Sequence, residues 1–555
     1  MQPTRTLPEE YDVIVVGAGI NGVGIARDAA LRGLRVLLLD QEDICSGVSA
    51  WSGRLVHGGL RYLEQYDVRL VHESLAERER LFRQAPHLVK PVPLMIPLYR
   101  HNRRPGWLVE LGMITYDVLS WRKTPPRHRV LSRTQAKRRF TGIAVDGLQG
   151  AAVFFDGQVE LAERLCVELA VDAHRHGAIV RTHARVDAPV VEHGRVVGVR
   201  WRDQLTGEAG QARAPITFNV AGPWIDRVFA SADIPEQPRL NGGTKGSHLI
   251  VGPFPGAPRD VVYYESQRDG RLVLVIPWMG RYMIGTTDIR FDGEPDEARC
   301  DIGEAEYLLT EVNSLIPEAG LSLDDVLYTF SGVRPLPYVP DKAESSVARS
   351  HSLHDHAADG LAGLITVIGG KLTTYRQLAE DAVDDALRRL GRVPQPCPTR
   401  DRPLPGGTLL DLGALRTRLL NEGAPLKTAD RLLSFYGSRA GDVWQLTHEL
   451  GELAKPLDER TGLVAAEVVF SVEAELARTL TDVMARRTLL AFEPDHGLAV
   501  VDDIAAVLAR RLDWDEARTE TELAGYRSWL DHLAVPDPTG PRSDSFGAGL
   551  TAGGR

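Results

Sequence analysis

The first apolar run of the chain, Tyr11-Asp-Val-Ile-Val-Val16, is short and β-branched, the pattern of a strand buried in a parallel sheet. It stops at Gly17-Ala-Gly19-Ile20-Asn21-Gly22. Val23, Ala26, Ala29 and Ala30 then recur near helical spacing, Gly33 breaks the pattern, and a second run from Arg35 to Leu39 closes on Asp40. These elements predict a βαβ unit. The same logic returns late in the chain, where the run Leu364 to Ile368 ends in Gly369-Gly370 and opens a helical pattern through Tyr375, Leu378, Ala379 and Ala382. Between the two, alternating runs such as Leu272 to Ile276 and Tyr282 to Ile284 predict an antiparallel sheet. Residues 392–407 hold five prolines and predict a linker. Beyond it Val464, Ala465, Val468, Val469, Val472, Leu476 and Leu480 follow helical periodicity. The stretch from Val535 is rich in Pro, Gly and Ser and predicts a disordered tail.

The glycines of the first unit carry chemistry. Gly17 permits a tight turn, Gly19 lets a pyrophosphate approach the backbone, and Gly22 lets helix and strand pack closely, while the helix N-terminus offers N–H groups to phosphate. Asp40, roughly 20 residues beyond the first glycine, suits a ribose hydroxyl. The unit therefore predicts a dinucleotide and leaves FAD and NAD(P) both open.

With 555 residues, 43% of them hydrophobic and 25% charged, the composition is that of a multidomain globular protein. The net charge of −10 gives no general attraction to nucleic acid. The four cysteines are scattered without a C-x-x-C pair, which argues against a disulfide framework or structural zinc and makes a reducing cytosol the default. No run reaches the 18 or so apolar residues of a spanning helix, and no signal peptide is expected. Among the 16 histidines there is no H-x-x-x-H or H-E-x-x-H spacing, so no metal is expected. His351, His354 and His356 read as part of an exposed loop.

One local feature departs from this acidic balance. Residues 100–139 carry eleven Lys/Arg against Glu110 and Asp117. Inside them, Trp107 to Trp121 is predominantly apolar with a tryptophan at each end, and fifteen helical residues span only about 22 Å. That pattern fits a helix lying in the interface of an anionic membrane, or a core helix between basic loops.

The segment Cys45 to Glu64, with Ser49, Ser52, Arg54, Leu55 and His57-Gly58-Gly59-Leu-Arg61-Tyr62, resembles the serine-rich loop of the FAD-dependent glycerol-3-phosphate dehydrogenases, in the D-amino-acid-oxidase-like flavoprotein group. Further matches follow in order: Ala221-Gly222-Pro-Trp224, Lys245-Gly-Ser-His248, Ile276-Pro-Trp278, Gly285-Thr-Thr287-Asp288, Ser331-Gly-Val-Arg334-Pro-Leu336 and Gly369-Gly370-Lys371-Leu372-Thr373-Thr-Tyr-Arg376. Arg54 stands where the family usually has lysine, and Val220-Ala221 where it has Ala-Thr.

The resemblance implies an α/β plus α+β architecture. A discontinuous Rossmann-type FAD domain would take residues 10–90, 150–232 and 341–391, and an antiparallel substrate domain 233–340. Residues 91–149 would form a membrane-contact segment and 392–407 the linker, with an all-helical C-terminal cap at 408–534 and a tail at 535–555. It implies oxidation of sn-glycerol 3-phosphate to dihydroxyacetone phosphate with FAD as hydride acceptor, and electrons passed to a respiratory quinone. The protein would be cytoplasmic and peripheral on the inner membrane face, with a homodimer allowed and no nucleic acid partner. A glycerol-3-phosphate oxidase using oxygen is the same-class alternative, and a regulatory or RNA-modifying flavin binder the different-class one.

For the cofactor, the motifs imply Gly17, Gly19, Ile20, Asn21, Gly22, Asp40, Ser49, Ser52, Arg54, Leu55, His57, Gly58, Gly59, Ala221, Gly222, Trp224, Gly370, Lys371, Leu372 and Thr373. For the substrate they imply Arg61, Tyr62, His248, Thr287, Arg334 and Lys371, the cations serving the phosphate. A base must receive the hydroxyl proton, and His57, His248 and Lys371 compete for that role, with Arg334 an electrostatic aid.

Overall fold

The computed structural model describes residues 10–59, 68–120, 124–230, 234, 237–339, 350–408 and 411–540. A six-stranded sheet runs in the order Ser352–Asp355, Leu364–Ile368, Ile216–Asn219, Val13–Val16, Val36–Leu39, Ile179–Arg181. All pairs are parallel except the first. Alternation along the two N-terminal strands divides their side chains between two layers. Val13, Val15, Val36 and Leu38 join the core that includes helix Ile20–Leu31. Ile14, Val16, Leu37 and Leu39 pack with Val186, Val199 and Trp201 of an antiparallel three-stranded sheet, Ala184–Glu192, Arg195–Asp203 and Ala209–Arg213.

The second large sheet has ten strands and is antiparallel except where Val261–Glu265 meets Val89–Tyr99. Its strands include Thr244–Val251, Leu272–Trp278, Arg281–Gly285 and Val326–Arg334, and helix Ile302–Leu315 packs on one face. This sheet also takes Val89–Tyr99, Leu148–Val159 and Leu55–Val56, which the sequence-based boundaries assign to the membrane-contact and flavin segments. Three prolines obscure the strand Val89–Tyr99. Pro91, Pro93 and Pro97 share one parity, so the donors they lack fall on one side and leave the other side for the ladder to Leu148–Val159.

The C-terminal part is helical with one small hairpin, Pro456–Asp458 with Leu463–Val464. Buried ion pairs join it to the flavin-sheet domain: Arg164 with Glu475, Arg439 with Glu168, and Arg487 with Asp43. Removing one partner of such a pair strands a buried charge at a cost of about 3–5 kcal/mol. The proline-rich 392–407 segment is also more than a linker. Leu404, Gly406 and Gly407 are buried, and the Gly406 N–H donates to Glu168 at 2.7 Å. Of the expected tail, residues 541–555 lie outside the described residues. The four cysteines are buried and unpaired.

Candidate active site

A cavity of about 1130 Å³ runs from the first glycine turn, past the loop 46–59, to the wall of the ten-stranded sheet. The turn is shaped by what its glycines exclude. Gly17 has φ +108°, and a Cβ there would sit 2.6 Å from the Val220 carbonyl oxygen. At Gly22 a Cβ would sit 1.8 Å from the Gly17 oxygen, so this glycine serves packing and does not border the cavity. At Gly19 a Cβ meets only Ser49 Oγ, at 3.3 Å, and the remaining space is cavity. Helix Ile20–Leu31 has no side-chain cap, and Ser49 Oγ accepts the Ile20 N–H at 3.0 Å. Asn21 donates to the Gly369 carbonyl at 3.3 Å and so joins the two glycine turns, while its buried Oδ1 has no protein partner. Asp40 accepts the Ala18 and Glu42 N–H groups, and burial pushes its carboxyl above the ordinary range. An extended ligand with phosphates and a polar rim fits this end of the cavity.

The loop carrying His57 is fixed from behind. His57 N–H donates to Thr373 Oγ1 at 3.1 Å, and Gly58 N–H donates to the Tyr116 hydroxyl at 2.9 Å. Tyr116 in turn donates to Asp156 at 2.7 Å, and Arg78 pairs with the same carboxylate. Gly58 is therefore a packing position: its Cβ would lie 2.4 Å from the Tyr116 oxygen. Apart from Gly22 and Gly58, every residue expected at the cofactor borders the cavity.

At the other end His248, in strand Thr244–Val251, stacks on Phe330 at 5.0 Å and leaves Nδ1 buried without a partner. Burial, and after it Arg334 and Arg54, pushes its imidazole down to about 3. Arg334 donates to Asp288 Oδ1 at 2.9 Å, to Thr286 Oγ1 at 2.9 Å and to the Thr287 carbonyl at 3.1 Å. Gly246 makes room for it, since a Cβ there would sit 2.1 Å from Arg334 Nη2. His57, His248, Arg334 and Lys371 all border the one cavity.

Two expected side chains point elsewhere. Thr287 is wholly buried; its hydroxyl donates to Glu304 at 2.6 Å and accepts the Ser247 N–H at 2.8 Å. Its neighbour Thr286 borders the cavity and takes the position expected of Thr287. Arg54 borders the cavity, but its guanidinium is buried in a two-point pair with Glu163 and lies over the Trp278 ring. No charge is left there for a cofactor phosphate. Lys245 and Arg376 are likewise engaged, with Glu304 and with Glu77 and Glu380. Arg61, Tyr62 and Trp121 lie outside the described residues.

Several cavity residues were not expected there. Arg103 and Arg104, from the basic segment assigned to membrane contact, and Arg271 border the cavity; Arg104 pairs with Glu265. Trp529 and His532, from the far end of the chain, stack with Trp51 of the loop at 5.9 and 6.4 Å and close another wall.

Comparison with known proteins agrees with this geometry. Residues 12–376 match the family described as FAD dependent oxidoreductase, and residues 397–519 match the C-terminal domain of alpha-glycerophosphate oxidase. A glycerol-3-phosphate dehydrogenase of Synechocystis sp. is 43% identical over 550 residues, covering 96% of this chain and 99% of that protein. A D-erythritol 1-phosphate dehydrogenase of Brucella abortus is 37% identical, covering 87% of this chain and 94% of that protein. The crystal structure of glycerol-3-phosphate dehydrogenase from Bacillus halodurans complexed with FAD aligns with a TM-score of 0.78 at 27% identity, covering 96% of this chain and 97% of that one.

Proposed function

This chain belongs to the FAD-dependent glycerol-3-phosphate dehydrogenases, and on that premise we propose that its cavity oxidises sn-glycerol 3-phosphate to dihydroxyacetone phosphate, with the electrons delivered to a respiratory quinone at an anionic membrane surface. The observation that carries the reading is the meeting, in one cavity, of a glycine-turn helix N-terminus with Arg334, Lys371, His57 and His248. FAD, when bound, supplies the hydride acceptor. The chain supplies the rest.

Gly17, Gly19, Asn21, Asp40 and Ser49 hold the dinucleotide end, and Gly370, Leu372 and Thr373 the other side of the cofactor. The wall of Arg103, Arg104 and Arg271 draws a dianion inward, and Arg334 and Lys371 orient its phosphate by charge-assisted hydrogen bonds. Asp288 and Thr286 keep the Arg334 fork in place. The stack of Trp51, Trp529 and His532 keeps water from one wall.

The base role falls to an imidazole. Burial first, and Arg334 and Arg54 after it, push His248 down to about 3 and keep its ring proton-free; His57 stands on the loop fixed by Tyr116 and Thr373. His57→Gln or His248→Gln should slow single-turnover flavin reduction by about 10²- to 10⁴-fold with flavin retained. Parent rates and an unchanged pH profile in both variants would make Lys371 the leading base.

Helix Gly106–Leu119 supports the membrane part. Of its side chains only Met113 and Tyr116 are buried, whereas Trp107 is 68%, Leu111 53%, Ile114 47% and Val118 60% exposed. Among the described residues no helix is long and apolar enough to cross a bilayer. An exposed apolar face between basic flanks suits interfacial binding, with each basic residue adding about 1 kcal/mol on anionic lipid. Co-sedimentation with anionic vesicles should weaken in high salt, and Trp107→Glu should remove the salt-resistant remainder. Equal failure to bind anionic and neutral vesicles at low salt, with rapid reaction of the reduced protein with oxygen, would favour the oxidase alternative. The Brucella relative's name sets a competing substrate, a four-carbon polyol phosphate with the same phosphate group.

A further inference from the structure

Away from the cavity, on the outer edge of the six-stranded sheet, His354 lies in the strand Ser352–Asp355 and His356 opens the turn that follows it. Their ring centroids are 4.5 Å apart, with the rings near perpendicular. The chain turns back immediately, with Asp359 N–H and Leu361 N–H both donating to the His356 carbonyl, at 3.0 and 2.9 Å. The turn carries the Asp359 carboxylate onto both rings: Oδ2 lies 2.7 Å from His354 Nε2 and 3.1 Å from His356 Nδ1. His356 Nδ1 is also 2.9 Å from Gln237 Oε1. Of the three histidines expected in an exposed loop, His351 and His356 lie outside any strand, His354 lies in the edge strand, and His356 is buried.

We propose that His354 Nε2, His356 Nδ1, Asp359 Oδ2 and Gln237 Oε1 bind one divalent cation, Zn²⁺ by preference. The outer nitrogen of the buried histidine carries the argument. His356 is 3% exposed, and its Nε2 lies 2.8 Å from Thr366 Oγ1 on the neighbouring strand. With Nε2–H donating to that oxygen, as ligating histidines donate their second nitrogen to a fixed acceptor, Nδ1 turns a lone pair toward two oxygens. Three acceptor atoms then converge with His354 Nε2, and a cation satisfies them together. With metal bonds of 2.0–2.1 Å, the edge of a tetrahedron is about 3.3 Å; the edges from Asp359 Oδ2 to the two imidazoles and from His356 Nδ1 to Gln237 Oε1, at 2.7, 3.1 and 2.9 Å, are a few tenths of an ångström short of it. Two imidazoles with one carboxylate suit Zn²⁺, Co²⁺ or Ni²⁺ and not Mg²⁺ or Ca²⁺, which prefer all-oxygen shells. His354, partly exposed, gives solvent access.

None of these residues borders the cavity, so the site is structural. The cation would tie Gln237, on the segment leading from the flavin sheet toward Thr244, to the edge strand paired with Leu364–Ile368, which ends at Gly369-Gly370 on the cavity.

The test is zinc uptake by chelator-stripped, flavin-loaded protein, measured in competition with a chromophoric chelator, with Co²⁺ substitution reporting tetrahedral geometry from its d–d bands. Uptake of a single zinc per chain is expected, with no response to Mg²⁺. His354→Gln and Asp359→Asn should each weaken zinc binding by about 100-fold or more, and Thr366→Val by about 10- to 100-fold, all with the flavin spectrum unchanged. Absence of zinc uptake by the parent protein overturns the proposal, and so does uptake that the variants leave unaltered. If one variant loses its flavin, the comparison rests on the other two.

Discussion

A Gly19→Val variant will fold normally and come out of purification without flavin. Gly19 has φ −68° and ψ 177°, a conformation open to any residue, and its Cβ position meets nothing closer than Ser49 Oγ at 3.3 Å. Valine therefore costs the fold little and fills cavity volume instead. That volume lies against the N-terminus of helix Ile20–Leu31, where a pyrophosphate needs close approach to backbone N–H groups. The same substitution at Gly17 or Gly22 would be uninformative, because there the side chain collides with the backbone itself. An unchanged circular dichroism spectrum with no flavin absorbance is the expected result, and full flavin occupancy would refute the assignment of this turn.

Arg334→Ala should lower kcat/KM for glycerol 3-phosphate by about 2–5 kcal/mol, or roughly 30- to 4000-fold. Part of that loss is the phosphate left without its fork. The remainder comes from Asp288, whose carboxylate Arg334 now pairs at 2.9 Å and which would face the incoming dianion without that guanidinium. Adding Asp288→Asn to Arg334→Ala should therefore recover some activity. Glycerol, which has no phosphate, should lose far less from Arg334→Ala. Equal losses for the two substrates would remove Arg334 from the phosphate role.

The parts of this site that were readable from sequence are those written in local pattern. The glycine turn and the second turn at Gly369-Gly370 each sit where a strand hands over to a helix, Asp40 sits at a strand's end, and the backbone enforces that geometry within a few residues. The motif containing Thr286 and Thr287 was also visible, but which hydroxyl faces the cavity depends on the path of the backbone after strand Arg281–Gly285, and composition does not encode it. The partner of Arg54 was out of reach for a related reason: Glu163, far off in sequence, takes both terminal guanidinium nitrogens.

Tertiary packing hid the rest. Trp529 and His532 reach the cavity only because the C-terminal helices are held to the flavin domain by buried ion pairs. Tyr116 looked like one more apolar residue of an interfacial helix, and it is the hydroxyl that fixes Gly58. The strand Val89–Tyr99 was masked by its prolines, and the histidine cluster by polar neighbours that resemble a loop.

Anaerobic titration of the purified flavoprotein shows whether its flavin takes a hydride from glycerol 3-phosphate. Stoichiometric bleaching of the flavin by sn-glycerol 3-phosphate, little bleaching by glycerol, and recovery of the oxidised spectrum on adding quinone is the result expected of that transfer. A flavin that stays oxidised with glycerol 3-phosphate, or that D-erythritol 1-phosphate bleaches in its place, would contradict it.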